Sequence, residues 1–269
     1  MLIAVLIAAA LAATPNPAAE IEACKGPVTT RLPACLRLLA RSDLLPSRRA
    51  KTWHNIAQTY WEEGKKRDAL EAYDKALSFD GDYVHAYQER SRLRHRLGDR
   101  AGALADLDSA VGREKDGVDS RLQRSSMRLE LGDAKGAWQD PQAALALSGG
   151  SAAALTQEGW LLVRFGRFSD ALAPLLSATR ADPRNVMAWN DLASAYAGLG
   201  KTTERRDALE ASIRAKPTSW ALIERGMLKE QAGEIAGARS DYDDAIKVDA
   251  KEAYAYYNRG RILNLQEDR

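Results

Sequence analysis

The chain has 269 residues, with 39 Lys and Arg against 37 Asp and Glu and a formal net charge of +2. That length allows one or two ordinary domains or one extended array, and plentiful apolar and charged residues exclude a chain disordered by composition. The small net charge, with no Lys/Arg run interleaved with aromatics, excludes a nucleic-acid groove.

Leu2 to Ala13 is an apolar stretch closed by Thr14-Pro15-Asn16-Pro17. A membrane-spanning helix needs about 20 apolar residues, so the segment reads as an export signal over residues 1–19. Cleavage sites are offered at Ala10-Leu11-Ala12 and at Pro17-Ala18-Ala19. The initiator amine is its only positive charge, and an N-terminal anchor is the alternative. The mature protein is expected to be periplasmic or secreted, with no stable membrane span after cleavage. Residues 20–49 read as an N-terminal helical cap carrying Cys24 and Cys35, the chain's two cysteines. In an oxidising compartment such a pair is usually a disulfide, which here stabilises by roughly 3 kcal/mol at most. Lipidation of Cys24 and a catalytic thiol stay open, although Ile21-Glu22-Ala23 is polar and no Cys-His motif is visible.

From about Ala50 the chain repeats itself. Gly64, Gly98, Gly132, Gly166, Gly200 and Gly233 fall 34, 34, 34, 34 and 33 residues apart. A period of this length built from paired helices signals a stacked helical solenoid. In the first unit, Trp53, Ile56, Ala57 and Tyr60 precede Gly64, and Ala69, Tyr73, Ala76 and Leu77 follow it, at spacings that put each set on one helix face. Gly64 ends the first helix, because glycine adopts positive φ cheaply. Ala57 and Ala69 are small enough to let the two helices approach closely. The units expected are 50–83, 84–117, 118–151, 152–185, 186–218 and 219–252, followed by a C-terminal capping helix at 253–269. Pro141 and Pro174 lie inside second helices and are expected to kink them or shift their start. Arg205 stands where a small packing residue belongs, so looser packing or a local bend is expected there.

These residues resemble the tetratricopeptide repeat (TPR) family, whose pattern runs Trp-like residue, Leu-Gly, Tyr, Ala, Phe/Tyr, Ala and Pro. The first unit meets it closely, and the fifth has Trp189, Leu192-Ala193, Tyr196, Gly200 and Pro217. Arg90-Ser91, Arg124-Ser125, Arg225-Gly226 and Arg259-Gly260 are similar to a bacterial subfamily whose exported members place a Cys pair before the array, which supports the disulfide reading. The resemblance implies an all-α fold, a right-handed superhelical solenoid of antiparallel helix pairs. It also implies that the second, fifth, ninth and twelfth positions of each first helix line a concave, partner-binding groove.

Those positions hold Lys51, His54, Gln58 and Trp61 in the first unit and His85, Gln88, Arg92 and His95, with Arg96 at the edge, in the second. Trp160, Met187, Asn190 and Ser194 line the middle, and Trp220, Ile223, Met227, Tyr254 and Tyr257 the C-terminal end. One end is thus basic, suited to a carboxylate, and the other is rich in apolar anchors. The reading that follows is a non-catalytic scaffold for a protein or peptide partner with acidic and apolar parts, in the bacterial cell envelope. Groove-facing histidines would strengthen binding of an acidic ligand below about pH 6.5. Against this, Arg90, Arg92, Arg94 and Arg96 read equally as a solvated helix neutralised by Glu89, Asp99 and Asp106. Self-association through the C-terminal helix, or service as an accessory subunit of an envelope enzyme, are the other readings. No phosphate loop, two-histidine metal helix or Gly-x-Ser-x-Gly elbow occurs, so no catalytic residue, metal or cofactor is expected.

Overall fold

The computed structural model describes residues 17–267, with side chains through Leu263. Most of the expected export segment, residues 1–16, lies outside the described residues. Pro17–Ala23 already forms the first helix, α1. Fifteen helices and no strand occur among the described residues, and none of the helices is long and apolar enough to cross a membrane. They divide into two compact units, one ending at Asp133 and the other beginning at Ala134.

In the first unit, α1 and α2 (Val28–Leu39) precede the pairs α3 (Pro46–Glu62) with α4 (Lys66–Phe79) and α5 (Val84–Arg96) with α6 (Arg100–Arg113), and α7 (Val118–Glu130) closes it. The second unit starts with α8 (Ala134–Ser148). It continues with the pairs α9 (Ala152–Arg164) and α10 (Phe168–Ala181), α11 (Val186–Gly198) and α12 (Thr202–Ala215), and α13 (Ser219–Gln231) and α14 (Ile235–Val248), and ends with α15 (Ala253–Glu267). The short turn within each pair makes its helices antiparallel neighbours.

All six periodic glycines have positive φ, from 69° at Gly200 to 87° at Gly98. At the first of them, the Gly64 amide donates to the Trp61 carbonyl at 3.0 Å and the Lys65 amide to the Tyr60 carbonyl at 2.8 Å. That bond pair satisfies carbonyls a helix end leaves orphaned, and it needs the left-handed backbone that glycine supplies without strain.

The Cys24–Cys35 disulfide forms, ties α1 to α2, and is fully buried. Its sulfurs belong to the same apolar cluster as Leu38, Ile56, Ala57, Ala69 and Tyr73, so the cap shares a core with the first helix pair. In the second unit, Leu162, Leu175, Leu192 and Leu209 build one cluster, and Leu222, Tyr242, Ala255 and Ile262 another.

Alongside the apolar clusters, arginines make a recurring set of ion pairs between helices. Arg90 bonds Asp106 through Nε at 3.0 Å and Asp74 through Nη1 at 2.6 Å, and Arg94 joins Asp106 at 2.9 Å. In the second unit Arg225 and Lys229 share Asp241 at 2.6 and 2.9 Å, and Arg259 bonds Asp243 at 3.0 Å. The Arg90, Arg225 and Arg259 pairs are each separated by 16 residues, one helix-to-helix step. Asp106 and Asp241 are buried, so these acids are affordable only because two cations meet each of them.

Three sequence expectations are adjusted. Pro141 and Pro174 move no helix start: α8 and α10 run continuously through them. Each proline removes one ladder donor, while the flanking turns stay packed, with Pro141 itself and Leu175 buried. Arg205 loosens nothing below it, since it pairs with Glu224 while Ala208 and Leu209 stay buried.

Removing one member of a buried pair leaves an uncompensated charge, which costs about 3 kcal/mol or more. Asp106→Asn should therefore lower stability by about that amount in urea unfolding. Asp74→Asn, at the exposed end of the same Arg90 fork, should cost about 1 kcal/mol or less. Equal losses would show that the buried acid is not the member on which the pair depends.

Candidate functional site

The expected groove residues of the first unit sit on α3 and α5, and the structure places them in different environments. Lys51 is exposed and borders a 220 Å³ cavity with Cys24, Arg48, Asn55 and Tyr83, at the junction of cap and first pair. Trp61 and Arg92 border a different cavity of 160 Å³, completed by Tyr73, Glu89, Leu93 and Arg96. The Arg96 guanidinium stands 4.8 Å from the Trp61 ring centre, and Arg92 is tied to Glu89. His95 Nε2 lies 2.8 Å from the Glu130 carboxylate, which also accepts from Arg100 at 3.3 Å.

His54 corrects the sequence reading. It is 4% exposed, so it lines no open groove. Its ring stacks on His85 at 5.0 Å, meets Tyr73 edge-on at 5.6 Å, and lies 5.5 Å from Tyr83. Its Nδ1 is buried without a hydrogen-bond partner. Burial, helped by His85, pushes its pKa down to about 4, so it stays neutral where a solvent-exposed histidine would charge. His85, by contrast, is exposed, with Nδ1 3.3 Å from Gln88 Oε1.

The second unit carries the apolar candidates on α9, α11, α13 and α15. Trp160 and Met227 are half-buried, and Met227 packs against the Tyr242 cluster. Asn190 Oδ1 accepts from Ser212 at 2.6 Å, which fixes it as part of the α11–α12 packing. Met187, Trp220, Tyr254 and Tyr257 remain exposed, at 65%, 39%, 71% and 67%. Met187, Trp220 and Tyr254 hold the same register on successive first helices, 33 and 34 residues apart. Three exposed large apolar side chains thus share one register on α11, α13 and α15.

Asp191, next to Asn190, was not singled out by its sequence. Burial alone raises its carboxyl to about 7. The available signal was local: Met187, Ala188, Ser194 and Ala195 surround it at helical spacing, so its own helix offers it no cation.

Tetratricopeptide repeat models match residues 50–83, 156–219 and 223–268, together more than half of the chain. The chain belongs to the tetratricopeptide repeat family. The human Tetratricopeptide repeat protein 6 is 30% identical over 104 residues, covering 39% of this chain and 20% of that protein. The TPR chain thus spans about a fifth of the length of the curated relative it matches. A tetratricopeptide repeat protein from Parabacteroides merdae superposes with a TM-score of 0.72 at 19% identity, over 89% of this chain and 93% of that one. PilW, a type IV pilus biogenesis factor, gives 0.65 at 15% identity over 77% and 97%. The Cut9–Hcn1 assembly of the APC/C gives 0.68 at 16% over 86% and 45%. These structural likenesses show the fold. TPR folds are typical protein-interaction scaffolds and generally non-catalytic.

The two shifted groups give opposite pH dependences. His54 binds its proton in the unfolded chain near pH 6.5 but in the folded chain only near 4. Its contribution is therefore present above about 6.5 and lost as pH falls toward 4. Asp191 titrates near 7 when folded against an ordinary value of 3.8; stability is lost as pH rises between those values. Urea midpoints should show His54→Phe gaining on the wild type at pH 5 relative to pH 8, and Asp191→Asn gaining at pH 8 relative to pH 5. Parallel midpoints at both pH values would mean that neither group is perturbed in the folded protein.

Proposed function

We propose that this TPR chain is an exported, non-catalytic module that holds a protein or peptide partner against the exposed faces of its first helices, in a cell-envelope setting. The observation that carries the reading is the exposed row of Met187, Trp220 and Tyr254, with Tyr257 beside it. Tryptophan and tyrosine are the residues on which binding energy concentrates, and methionine adapts its shape to varied partners. The first unit offers a different chemistry. Its 160 Å³ cavity combines the Trp61 face with the Arg92 and Arg96 guanidiniums, which suits a carboxylate set beside an apolar group. Each chemistry, taken by itself, matches one part of a partner with apolar and acidic parts.

The buried Cys24–Cys35 bond supports the compartment in this reading. Such a bond persists in oxidising surroundings and is rare in a reducing cytosol. The apolar segment from Leu2 to Ala13 fits the same route.

Affinity capture from an envelope extract, with the chain as bait, tests the reading. The comparison bait carries Trp220→Ala and Tyr254→Ala, which remove exposed side chains and should leave the thermal midpoint unchanged. A protein retained by the wild type should bind the double variant at least about tenfold more weakly, the loss of 1.4 kcal/mol or more expected of aromatic anchors. Arg92→Glu should weaken it further if the partner's acidic part meets the first unit. Identical captures by all baits would remove these faces from the function.

A further inference from the structure

Where the cap meets the first helix pair, three cations border one cavity of 220 Å³: Lys25 after α1, and Arg48 and Lys51 on α3. No carboxylate lines it among the described residues. Lys25 has a partner in Glu22 at 2.8 Å. Arg48 and Lys51 have none, since neither side chain makes a hydrogen bond or ion pair among the described residues. Their neighbour Arg49 shows the contrast. Its guanidinium donates to the carbonyls of Leu39, Arg41 and Leu44 at 3.0, 2.7 and 3.1 Å, which ties the end of the cap to α3.

The placement of the two unpaired cations is unfavourable by itself. Arg48 is the third residue of α3, at the end where the helix dipole is positive, and the first turn holds no acid to balance it. Lys51 follows three residues later, so two like charges share a helix face. The rest of the wall is apolar or already satisfied. Ile21, Leu38 and the buried Cys24 form its apolar part. Thr52 donates to the Arg48 carbonyl at 2.8 Å and Asn55 to the Cys24 carbonyl at 3.2 Å, and neither brings a counter-charge.

We propose that this cavity binds a small organic acid, with its carboxylate at Arg48 and Lys51 and its hydrocarbon body against Ile21, Leu38 and Cys24. An arginine meets a carboxylate through two parallel N–H bonds. A cleft lined by one sign of charge also raises the local concentration of the opposite ion. Size narrows the class. At about 30 Å³ for each water in the liquid, the cavity holds a molecule of about seven or eight heavy atoms. It is smaller than the roughly 300 Å³ at which pockets for drug-sized ligands begin. Residues 1–16 contain no Asp or Glu, so the segment preceding α1 has no side chain that could stand in for the acid. The cavity shares no residue with the Trp61 cavity or the Met187–Trp220–Tyr254 row, and it does not rest on either having a partner.

The probe is hexanoate, a molecule of that size, titrated into the isotope-labelled full chain and followed by amide chemical shifts. Saturable shifts are expected at the Asn55 side-chain amide and at the backbone amides of Lys25 and Thr52. Acetate keeps the charge without the body and hexylamine the body without the charge; each should bind at least about tenfold more weakly. Arg48→Gln combined with Lys51→Gln should weaken hexanoate at least about tenfold. The same double variant should leave the thermal midpoint unchanged or higher, because the lost charges hold no partner in the fold. Hexanoate should raise the midpoint of the wild type and not that of the double variant. Absence of a saturable shift at these amides would overturn the proposal, as would equal binding of hexanoate and hexylamine or a double variant that keeps its affinity. A lower midpoint in the double variant would make the two cations structural and overturn it as well. An acetylated tripeptide ending in leucine carries the same carboxylate on a larger body. Tighter binding of that peptide than of hexanoate would move the site to a chain terminus and overturn its assignment to a free acid.

Discussion

At Gly226 there is no room for one methyl group, because Tyr242 from the facing helix occupies the place a Cβ would take. The same closeness recurs at Gly159 beneath Leu175, and Ala57, Ser91 and Ala193 are buried at the same point of their pairs. Two helices joined by a short turn can bury a continuous seam only if their backbones approach at the crossing, and a small residue there permits it. The positive-φ glycine that ends each first helix then sets where the chain turns back. Crossing and turn together fix which faces of each helix remain for neighbours and which remain for solvent. The rest of the chain is an elaboration of that pair.

The arginine–aspartate links are the main elaboration. An apolar pair would fill the same space without desolvating charges, and replacing buried ion pairs by apolar groups is often neutral or stabilising. Here every buried aspartate with two basic partners sits at a fixed place in its repeat, as Asp106 meets Arg90 and Arg94 and Asp241 meets Arg225 and Lys229. A one-turn slip of either helix would strand Asp106 or Asp241 in the core. These links therefore penalise wrong registers more than they deepen the right one, which suits a chain whose repeats resemble each other closely enough to mispair.

Much of this was legible from residues alone. The glycine period placed the turns, the helical spacing of Trp53, Ile56, Ala57 and Tyr60 placed a packed face, and two isolated cysteines proved to be bonded. What stayed hidden depended on depth. His54 occupies a groove-lining position by spacing, yet it is buried, with the rings of Tyr73, Tyr83 and His85 around it. Asp191 is perturbed by burial, a property of neighbours from other helices that a linear reading does not see. The ion-pair links lay between these cases. Their 16-residue spacing is written in the sequence, but charges on a helix are ordinarily solvated, and that ordinary case conceals a buried aspartate until its surroundings are known.

The exposed apolar row in the second unit can be weighed against the fold's own tolerance. Its register, the second position of a first helix, holds Lys51 on α3, His85 on α5 and Asp119 on α7. All three of those helices form, with charged or polar residues there. The pair geometry consequently places no apolar demand on this position, and Met187, Trp220 and Tyr254 on α11, α13 and α15 are not required by packing. Lysine or glutamate at the same places would leave the seam between helices untouched and would lower the tendency of an exposed patch to associate nonspecifically. The same register thus holds polar residues on α3, α5 and α7 and large apolar ones on α11, α13 and α15, a difference that the packing of the pairs does not account for. The exposed apolar register is therefore a property that separates the second unit from the first.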